Sequence, residues 1–459
     1  MKILTFLTSF ALMLCIDALA VSDLKPEYLR CEYLENPFID EKEPRLSWIL
    51  TSEVRDQHQT AYRILVASKI ELLEPGKADL WDSDKVKGSE TSQVVYKGKP
   101  LLSRQKCYWK VKSWDKKDQE GEWSKSASWE MGLLEKADWN SKWIGKDFSS
   151  TTQPIPFKNK ELFLPPSPIF RNQINLKEKV SKARLYITSL GLYEYKINGE
   201  KVGKDFLAPG WTDYNKRLYY HVYDVTDQLD KGEQVLQASL SSGWYSGYIG
   251  YALLIGNPVV RGFYGDTPAL RAQLEVTYAN GETSTFATNE EWKVSSGGLL
   301  ESDILHGETF DARKVPVNWS STNFDDKNWE QAEIINAGNR NLELYPAQPV
   351  QITETIRPIE IHEQEEGKYI FNMGQNFAGL VKLKVKGKAG DKVVLKFGEM
   401  LHPDGRLMDE NLRMARATDT YILKGDPDGE EWTPSFTYHG FQYVEVTGFP
   451  GKPTKENIT

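Results

Sequence analysis

Apolar and polar residues alternate with a period of two along most of the chain. In LRAQLEVTY the residues predicted to face inward are Leu270, Ala272, Leu274, Val276 and Tyr278. The residues predicted to face outward are Arg271, Gln273 and Glu275. CYWKVKSWD (107–115) and VKLKVKG (381–387) alternate in the same way. This period predicts β-strands, whereas only DENLRMARATD (409–419) suggests a turn or two of helix.

Turn signals and composition strengthen this picture. The pairs Asn198-Gly199 and Asn280-Gly281 each separate two strand-like segments and predict tight hairpins, since Asn-Gly suits the positive φ angles of a type I′ turn. The chain also contains 14 Trp, 22 Tyr, 18 Phe, 34 Gly and 22 Pro. Such a composition favours β-sandwiches over helical bundles. The predicted fold class is all-β.

A length of 459 residues suggests about three domains. Residues 24–135 have the strand spacing of an immunoglobulin- or fibronectin-like sandwich. A second sandwich is predicted over 169–340 and a third β-sandwich over 346–450. The polar, Pro-rich segment at 149–168 is predicted to be a connection or exposed loop, and 338–351 the next junction.

The first twenty residues predict export. Lys2 precedes an apolar run (3–16) that is too short to span a bilayer, and Ala18-Leu19-Ala20 resembles a cleavage site. Residues 1–20 therefore read as a signal peptide, which predicts a periplasmic or extracellular location. A lipoprotein signal at Cys15 is the alternative, but bulky Leu14 argues against it. No other segment is long and apolar enough to predict a membrane span.

The cysteines and the net charge limit the kinds of site and partner that the sequence predicts. Cleavage would leave Cys31 and Cys107, which an exported protein could join in a disulfide or bury as two small apolar residues. No Cys or His spacing indicates zinc. The net charge of −8 argues against a nucleic-acid partner and is compatible with a neutral carbohydrate.

Three aromatic loops of the second predicted domain are candidates for sugar binding, at 203–214, 241–251 and 261–268. Flat aromatic rings meet the apolar faces of sugars, while carboxylates and Arg bind hydroxyl groups. The candidates are Asp205, Trp211, Asp213, Tyr214, Trp244, Tyr245, Tyr248, Tyr251, Arg261, Tyr264 and Asp266. The alternative is that these aromatic residues only close the ends of the sandwich.

The segment ESDILHGETFDAR (301–313) is the richest in titratable groups. Its candidates are Glu301, Asp303, His306, Glu308 and Asp311. Glycoside hydrolysis needs two carboxylates facing one bond, and no spacing here marks such a pair. We predict structural carboxylates at a domain junction. Nucleophile-elbow, P-loop, zinc-protease and dinucleotide motifs are all missing from the sequence, so the residues alone identify no catalytic centre.

The chain resembles bacterial α-L-rhamnosidases of glycoside hydrolase family 78. The matching segments include LRCEYLENPFIDEKEPRLSW, INGEKVGKDFLAPGWTDYNKRLYYHVYDVTDQL, LHGETFDAR, FNMGQNFAGLVKLKV, GEMLHPDGR and FTYHGFQYVEVTGFPG. They are ordered and cover nearly all of the mature chain. The resemblance implies an exported enzyme that removes terminal L-rhamnose from oligo- or polysaccharides, with inversion, using a general acid and a general base.

The resemblance also implies a division of labour. In that family the catalytic carboxylates lie in an (α/α)₆ barrel that follows the β domains. We expect that barrel to be missing here and to be the partner of these domains, so no catalytic residue is carried over. The chain is then the non-catalytic amino-terminal portion of the enzyme. The alternative is a stand-alone, exported rhamnose-binding protein.

For the second domain, the resemblance implies a jelly roll like the rhamnose-binding modules of carbohydrate-binding family 67, which use Ca²⁺. It places such a site at the loop before LAPGW and at the YGD loop, and it carries over Asp205 and Asp266 as calcium ligands. Together with Trp211 and Tyr264 from the aromatic loops, they are the predicted carbohydrate contacts. The sequence departs from the expected pattern at Lys204, where an acidic or amide residue is expected. The third domain would be a concanavalin-like sandwich.

Overall fold

The computed structural model describes residues 22–158, 160–249 and 261–459, so the predicted signal peptide lies outside the described residues. One compact unit ends at Lys136 and a second comprises Ala137–Thr459. Strands dominate both units, which confirms the all-β class. No helix in the described part of the chain is long and apolar enough to cross a membrane. The helical turns are Ile70–Leu72, Lys136–Asp138, Ser149–Thr151, Thr226–Gln228, Gly243–Ser246, Ala312–Lys314, Glu410–Leu412 and Lys455–Asn457.

The first unit is a sandwich of two sheets. Its strands are β1 (Lys25–Cys31), β2 (Phe38–Ile39), β3 (Arg45–Thr51), β4 (Ala61–Ala67), β5 (Trp81–Asp82), β6 (Val86–Lys87), β7 (Val94–Val95), β8 (Lys106–Trp114), β9 (Glu120–Trp123) and β10 (Ala127–Met131). One sheet has the order β1-β3-β7 and the other β2-β10-β8-β4-β5, with β6 on β4 and β9 on β8. Both sheets contribute to a single core that includes Trp48, Trp109 and Trp129.

Cys31 and Cys107 are both buried in this core as free thiols. Of the two possibilities that the sequence left open, the structure therefore shows the pair of small buried apolar residues. Burial raises the pKa of Cys107 to about 12 and also raises that of Cys31. Thiols held protonated in this way are poor nucleophiles.

A second sandwich occupies the first part of the second unit. Its strands are β11 (Ile144–Gly145), β12 (Ile155–Phe157), β13 (Lys160–Leu162), β14 (Pro168–Leu176), β15 (Val180–Leu190), β16 (Leu192–Ile197), β17 (Glu200–Lys201), β18 (Arg217–Asp224), β19 (Gly232–Ser241), β20 (Ala269–Tyr278), β21 (Thr283–Ala287), β22 (Lys293–Ser296), β25 (Glu330–Gln331), β26 (Glu333–Ile334) and β27 (Asn341–Leu344). The sheet orders are β26-β11-β20-β15-β18-β27, with β21 on β20, and β17-β16-β19-β14-β22-β25. β12 and β13 form a separate hairpin.

Strand β20 confirms the predicted alternation, because the five residues predicted to face inward are all buried in the core between the two sheets. Gln273 lies on the outer face of the sheet, as predicted, but it is not exposed to solvent. Gln273 is fully buried, since its side chain accepts from the Asn140 amide at 2.6 Å and donates to the Asp138 carbonyl at 3.0 Å. The segment before β11 therefore covers the outer face of this sheet.

The third β layer is formed by strands from two distant parts of the chain. They are β23 (Leu299–Asp303), β24 (Gly307–Asp311), β28 (Glu360–Glu365), β29 (Lys368–Gly379), β30 (Leu383–Val385), β31 (Lys392–Gly398), β32 (Thr418–Ile422), β33 (Glu430–Trp432) and β34 (His439–Thr447). The large sheet has the order β23-β24-β32-β31-β34-β29-β28, and β30 pairs with β33. The core lies between these sheets.

The hairpin β23–β24 links the two sandwiches. It lies at 299–311, before the last strands of the second sandwich, yet β24 pairs in parallel with β32 of the third layer. We call this segment the acidic hairpin. It forms one edge of the large sheet of the third layer, although in sequence it lies between strands β22 and β25 of the second sandwich.

Local predictions met mixed outcomes. Asn198 and Gly199 both have positive φ in the hairpin between β16 and β17, as a type I′ turn requires, whereas at the second pair only Gly281 does. The segment 149–168, predicted to be a connection or exposed loop, is not an exposed loop throughout, because it contains β12 and β13 and buries Leu162 and Leu164. The helix predicted at 409–419 is reduced to a 3-10 turn.

Candidate functional site

The three aromatic loops converge at one end of the second sandwich. Trp211 of the first loop stacks on Trp244 of the second, with ring centroids 6.2 Å apart and an interplanar angle of 17°. Tyr214 of the first loop contacts Tyr245 at 5.4 Å and Tyr264 of the third loop at 5.0 Å. We call these five residues the aromatic platform. The sequence identified its members, and the fold brings them together.

Glycines allow the close packing beneath the platform. Gly243 begins the helical turn that carries Trp244 and Tyr245, and its φ of +48° and contact with Leu192 leave no room for a side chain. Gly265 lies so close to the Tyr245 hydroxyl that an added Cβ would be 2.1 Å from it. The second and third loops are thereby held side by side.

The platform has a buried base and an open top. Tyr214 is only 1% exposed, whereas Trp211 is 51% exposed. Phe263, which contacts Tyr264 at 4.8 Å, is also exposed. Burial raises the pKa of Tyr214, and its hydroxyl has no hydrogen-bond partner among the described residues. An exposed indole supported by a second indole is a suitable surface for the apolar face of a sugar.

Polar groups lie beside the platform. Arg340 donates from Nε to the Tyr214 carbonyl at 2.9 Å, and its guanidinium lies 5.9 Å from the Tyr245 ring centre. Asp266 is exposed and lies next to Gly262, where an added Cβ would be 2.8 Å from its Oδ1. Arg261 packs over the Phe163 ring at 5.5 Å, and burial lowers its pKa. Tyr251, a further candidate, lies outside the described residues.

Asp205 has different neighbours from Asp266. Its Oδ2 accepts from the Tyr223 hydroxyl at 2.7 Å and lies 3.4 Å from His221 Nδ1. Gln351 donates to its Oδ1 at 3.4 Å. Burial favours the neutral acid, but the hydrogen bonds from His221 and Tyr223 outweigh it and hold the pKa of Asp205 below its ordinary value.

These surroundings do not match a calcium site. Ca²⁺ takes about six to eight oxygen ligands, whereas Asp205 is surrounded by groups that donate hydrogen bonds to it. Among the described residues, no group of three His, Cys, Asp or Glu side chains is placed to hold a metal ion. Calcium binding by Asp205 and Asp266 stays a prediction, and so do the carbohydrate contacts of Asp205, Trp211, Tyr264 and Asp266.

The acidic hairpin uses its carboxylates to hold backbone, as predicted. Asp303 accepts N–H bonds from Tyr248 at 2.8 Å, Leu305 at 2.8 Å and His306 at 3.1 Å. Glu308 accepts from the amides of Ser435 and Phe436. Each carboxylate therefore binds a backbone segment that lies outside its own strand.

Burial sets the electrostatics of this hairpin. It raises the pKa of Asp303 to about 6 and, together with the nearby Asp419, raises the pKa of Glu308 to about 8. Burial also lowers the pKa of His306 to about 3, so the ring is neutral and its Nδ1 accepts from the Arg416 amide at 3.2 Å. These shifts arise from burial, since Asp303, His306 and Glu308 are almost completely shielded from solvent.

Sequence reasoning missed the partners of this hairpin. Asp419 accepts from the Glu308 amide at 2.9 Å and lies 3.1 Å from His439 Nε2. Arg416 donates to Glu301 at 2.8 Å. These residues are more than a hundred positions from the hairpin, and no local pattern joins the two segments.

Comparisons with known proteins agree with this architecture. The domain family described as Rha78A-like, N-terminal immunoglobulin domain matches residues 26–135. Alpha-L-rhamnosidase N-terminal domain matches 178–354, and bacterial alpha-L-rhamnosidase concanavalin-like domain matches 362–459. Together they account for most of the described chain.

Whole-chain relatives agree with the domain matches. An α-L-rhamnosidase of Formosa agariphila is 35% identical over 98% of this chain and 48% of its own length. The solved α-L-rhamnosidase of Dictyoglumus thermophilum superposes with a TM-score of 0.88 at 35% identity, covering 96% of this chain and 49% of that one. The Streptomyces avermitilis α-L-rhamnosidase complexed with L-rhamnose gives 0.86 at 29% identity, covering 95% and 57%. The chain spans about half the length of the relatives it matches.

Proposed function

Because this chain belongs to the bacterial α-L-rhamnosidase family, we propose that it is the non-catalytic amino-terminal portion of an enzyme that hydrolyses terminal α-L-rhamnosides. The substrates are rhamnose-containing oligo- or polysaccharides, cleaved with inversion outside the cytoplasm. The partner of these β domains is a catalytic (α/α)₆ barrel.

Within that enzyme, this chain binds glycan through the aromatic platform. The observation that carries this proposal is the stack of Trp211 on Trp244, whose outer indole is half exposed. A relative of the same architecture is known in complex with L-rhamnose. L-Rhamnose suits such a surface because its 6-deoxy group and ring C–H bonds give it an apolar face.

Catalysis belongs to the proposed barrel. The buried carboxylates of the acidic hairpin already accept backbone N–H bonds, which leaves them poorly placed to protonate a glycosidic oxygen or activate water. Asp303 and Glu308 are therefore not proposed as the acid and base of hydrolysis.

Two measurements on the purified chain test this function. Incubation with an aryl α-L-rhamnoside should release no phenol above background. Titration with methyl α-L-rhamnopyranoside should change tryptophan fluorescence and give measurable heat in calorimetry. Turnover by clean protein would refute the proposal that this chain is non-catalytic. No change in fluorescence and no heat of binding would refute the glycan-binding role.

The aromatic platform also favours a second candidate, a stand-alone exported rhamnose-binding protein. Both candidates predict binding by this chain. They differ when the chain is mixed with a separately produced family barrel: only the first predicts a stable complex with increased turnover.

A further inference from the structure

A continuous series of polar contacts runs from the core of the second sandwich to the turn that carries Trp211. Tyr193 and Tyr223 join their hydroxyls at 3.1 Å, and Tyr223 donates to Asp205 at 2.7 Å. Asp205 faces His221 Nδ1 at 3.4 Å, and His221 Nε2 lies 3.2 Å from the Pro209 carbonyl. Pro209 is two residues before Trp211 in the sequence.

Counting the protons shows which group donates and which accepts at each of these contacts. The Pro209 carbonyl can only accept, so His221 Nε2 must carry a proton. The Tyr223 hydroxyl has one proton and gives it to Asp205, so Tyr193 must donate to Tyr223. A second proton on His221 Nδ1 would complete a charge-assisted bond to Asp205.

Aromatic packing fixes the same turn from the side. The His221 ring lies between Tyr345, with centroids 5.0 Å apart and planes at 17°, and Tyr223, at 5.9 Å and 13°. Tyr345 also packs against Gly210, where an added Cβ would be 2.8 Å from its ring. Gly210 has a φ of +95°, which favours glycine. The ring that Asp205 orients therefore supports the turn directly.

We propose that Asp205 is a positioning residue that acts through His221 to hold the Pro209–Gly210 turn, and so presents Trp211 to the sugar without a metal ion. This inference rests on the proposed glycan-binding role of the platform. It gives Asp205 a task that its hydrogen-bond donors fit, unlike the ligand set of a calcium ion.

Binding of methyl α-L-rhamnopyranoside to the full chain, with and without EDTA, tests the proposal. D205N should weaken binding about tenfold, because the neutral amide holds His221 less strongly than the carboxylate does, and EDTA should change affinity less than twofold in the wild type. H221N should weaken binding to a similar extent, because it loses the Pro209 contact while leaving Asp205 in place. The matched control is D224N, on the same strand, where Asp224 pairs with Arg184.

A second readout does not depend on sugar binding. The fluorescence of Trp211 is obtained as the difference between a protein and its W211F variant. D205N and H221N should shift this difference spectrum to the red, while D224N should leave it unchanged. Should D205N fail to fold, H221N carries the same test.

The outcomes separate the two proposals. Loss of binding in EDTA with recovery in Ca²⁺ would overturn the proposal that Asp205 holds the turn without a metal ion. An unchanged Trp211 spectrum in folded D205N and H221N would overturn it as well. If the wild type binds no rhamnoside but the Trp211 spectrum shifts in D205N and H221N, the positioning role of Asp205 is supported and the glycan-binding role fails.

Discussion

The aromatic platform and the acidic hairpin both combine residues that enzymes use, and the fold treats them in opposite ways. In the platform, Trp211 is left half exposed on top of Trp244. In the hairpin, Asp303 and Glu308 are buried and accept backbone N–H bonds. One region is an open surface built of rings, and the other is a buried joint between segments, built of carboxyl groups.

This contrast shows that residues of the types that enzymes use for catalysis are not always accessible to a ligand. The hairpin has the strongest pKa perturbations at carboxyl groups, yet these come from packing between two sandwiches. The platform has an accessible face at Trp211, although burial raises the pKa of Tyr214 at its base. Strongly shifted pKa values thus mark a structural joint in this protein, as buried networks elsewhere can.

The largest expected effect is in the joint. E308A removes the acceptor of the Ser435 and Phe436 amides and so takes away the partner of one part-buried and one buried N–H group. We expect the free energy of unfolding to fall by roughly 3 kcal/mol or more. Urea denaturation checks this against E282A, an exposed glutamate in a turn, which should stay within about 0.5 kcal/mol of wild type. An equal loss of unfolding free energy in E308A and E282A would mean that Glu308 does not hold the segment at Ser435 and Phe436 in place.

The pH dependence of stability tests the burial of Glu308 in a second way. Glu308 has its pKa raised from 4.5 to about 8, so the folded state keeps its proton where the unfolded state loses it. Its contribution to stability is complete below about pH 4.5 and disappears as the pH rises through about 8.

Between about pH 6.5 and 8, wild type should lose roughly 2 kcal/mol relative to E308Q, which cannot titrate. Asp303 and His306, with pKa values of about 6 and 3, change little in that window. Urea unfolding at several pH values measures the difference. Parallel curves for the two proteins would show that Glu308 is ionised in the folded state.

In the platform the expected effect is on binding. W211A removes the exposed ring and should weaken binding of methyl α-L-rhamnopyranoside about tenfold, with little change in thermal stability because the ring is half exposed. Y28A, at an exposed tyrosine of the first unit, is the matched control. Unchanged affinity in W211A would place the sugar elsewhere.

The smallest effect is expected at the base of the platform. The buried Tyr214 hydroxyl has no partner among the described residues, so Y214F should leave stability unchanged or raise it by up to about 1 kcal/mol. Thermal unfolding measures this. A loss of stability would reveal a partner for the hydroxyl, and a loss of rhamnoside affinity alone would assign the hydroxyl to the ligand.

Local patterns predicted much of the fold. The period of two in β20 placed Leu270 and its alternate neighbours in the core, and Asn198-Gly199 forms the predicted hairpin. Burial of Gln273 escaped prediction because the segment that covers it is more than 130 residues away. The loops of the platform were identified for a simpler reason, since aromatic residues next to glycines stand out in any strand-rich sequence.

The sequence by itself determined the all-β class and, through ordered segments, the α-L-rhamnosidase family, because both depend on local periodicity and on residue identity. Tertiary structure alone decided which polar residues could act. Parallel pairing of β24 with β32 buried Glu308, while the meeting of three loops exposed Trp211 and left Asp205 bound to His221. Burial and hydrogen-bond partners depend on contacts between distant segments, and no local pattern encodes them.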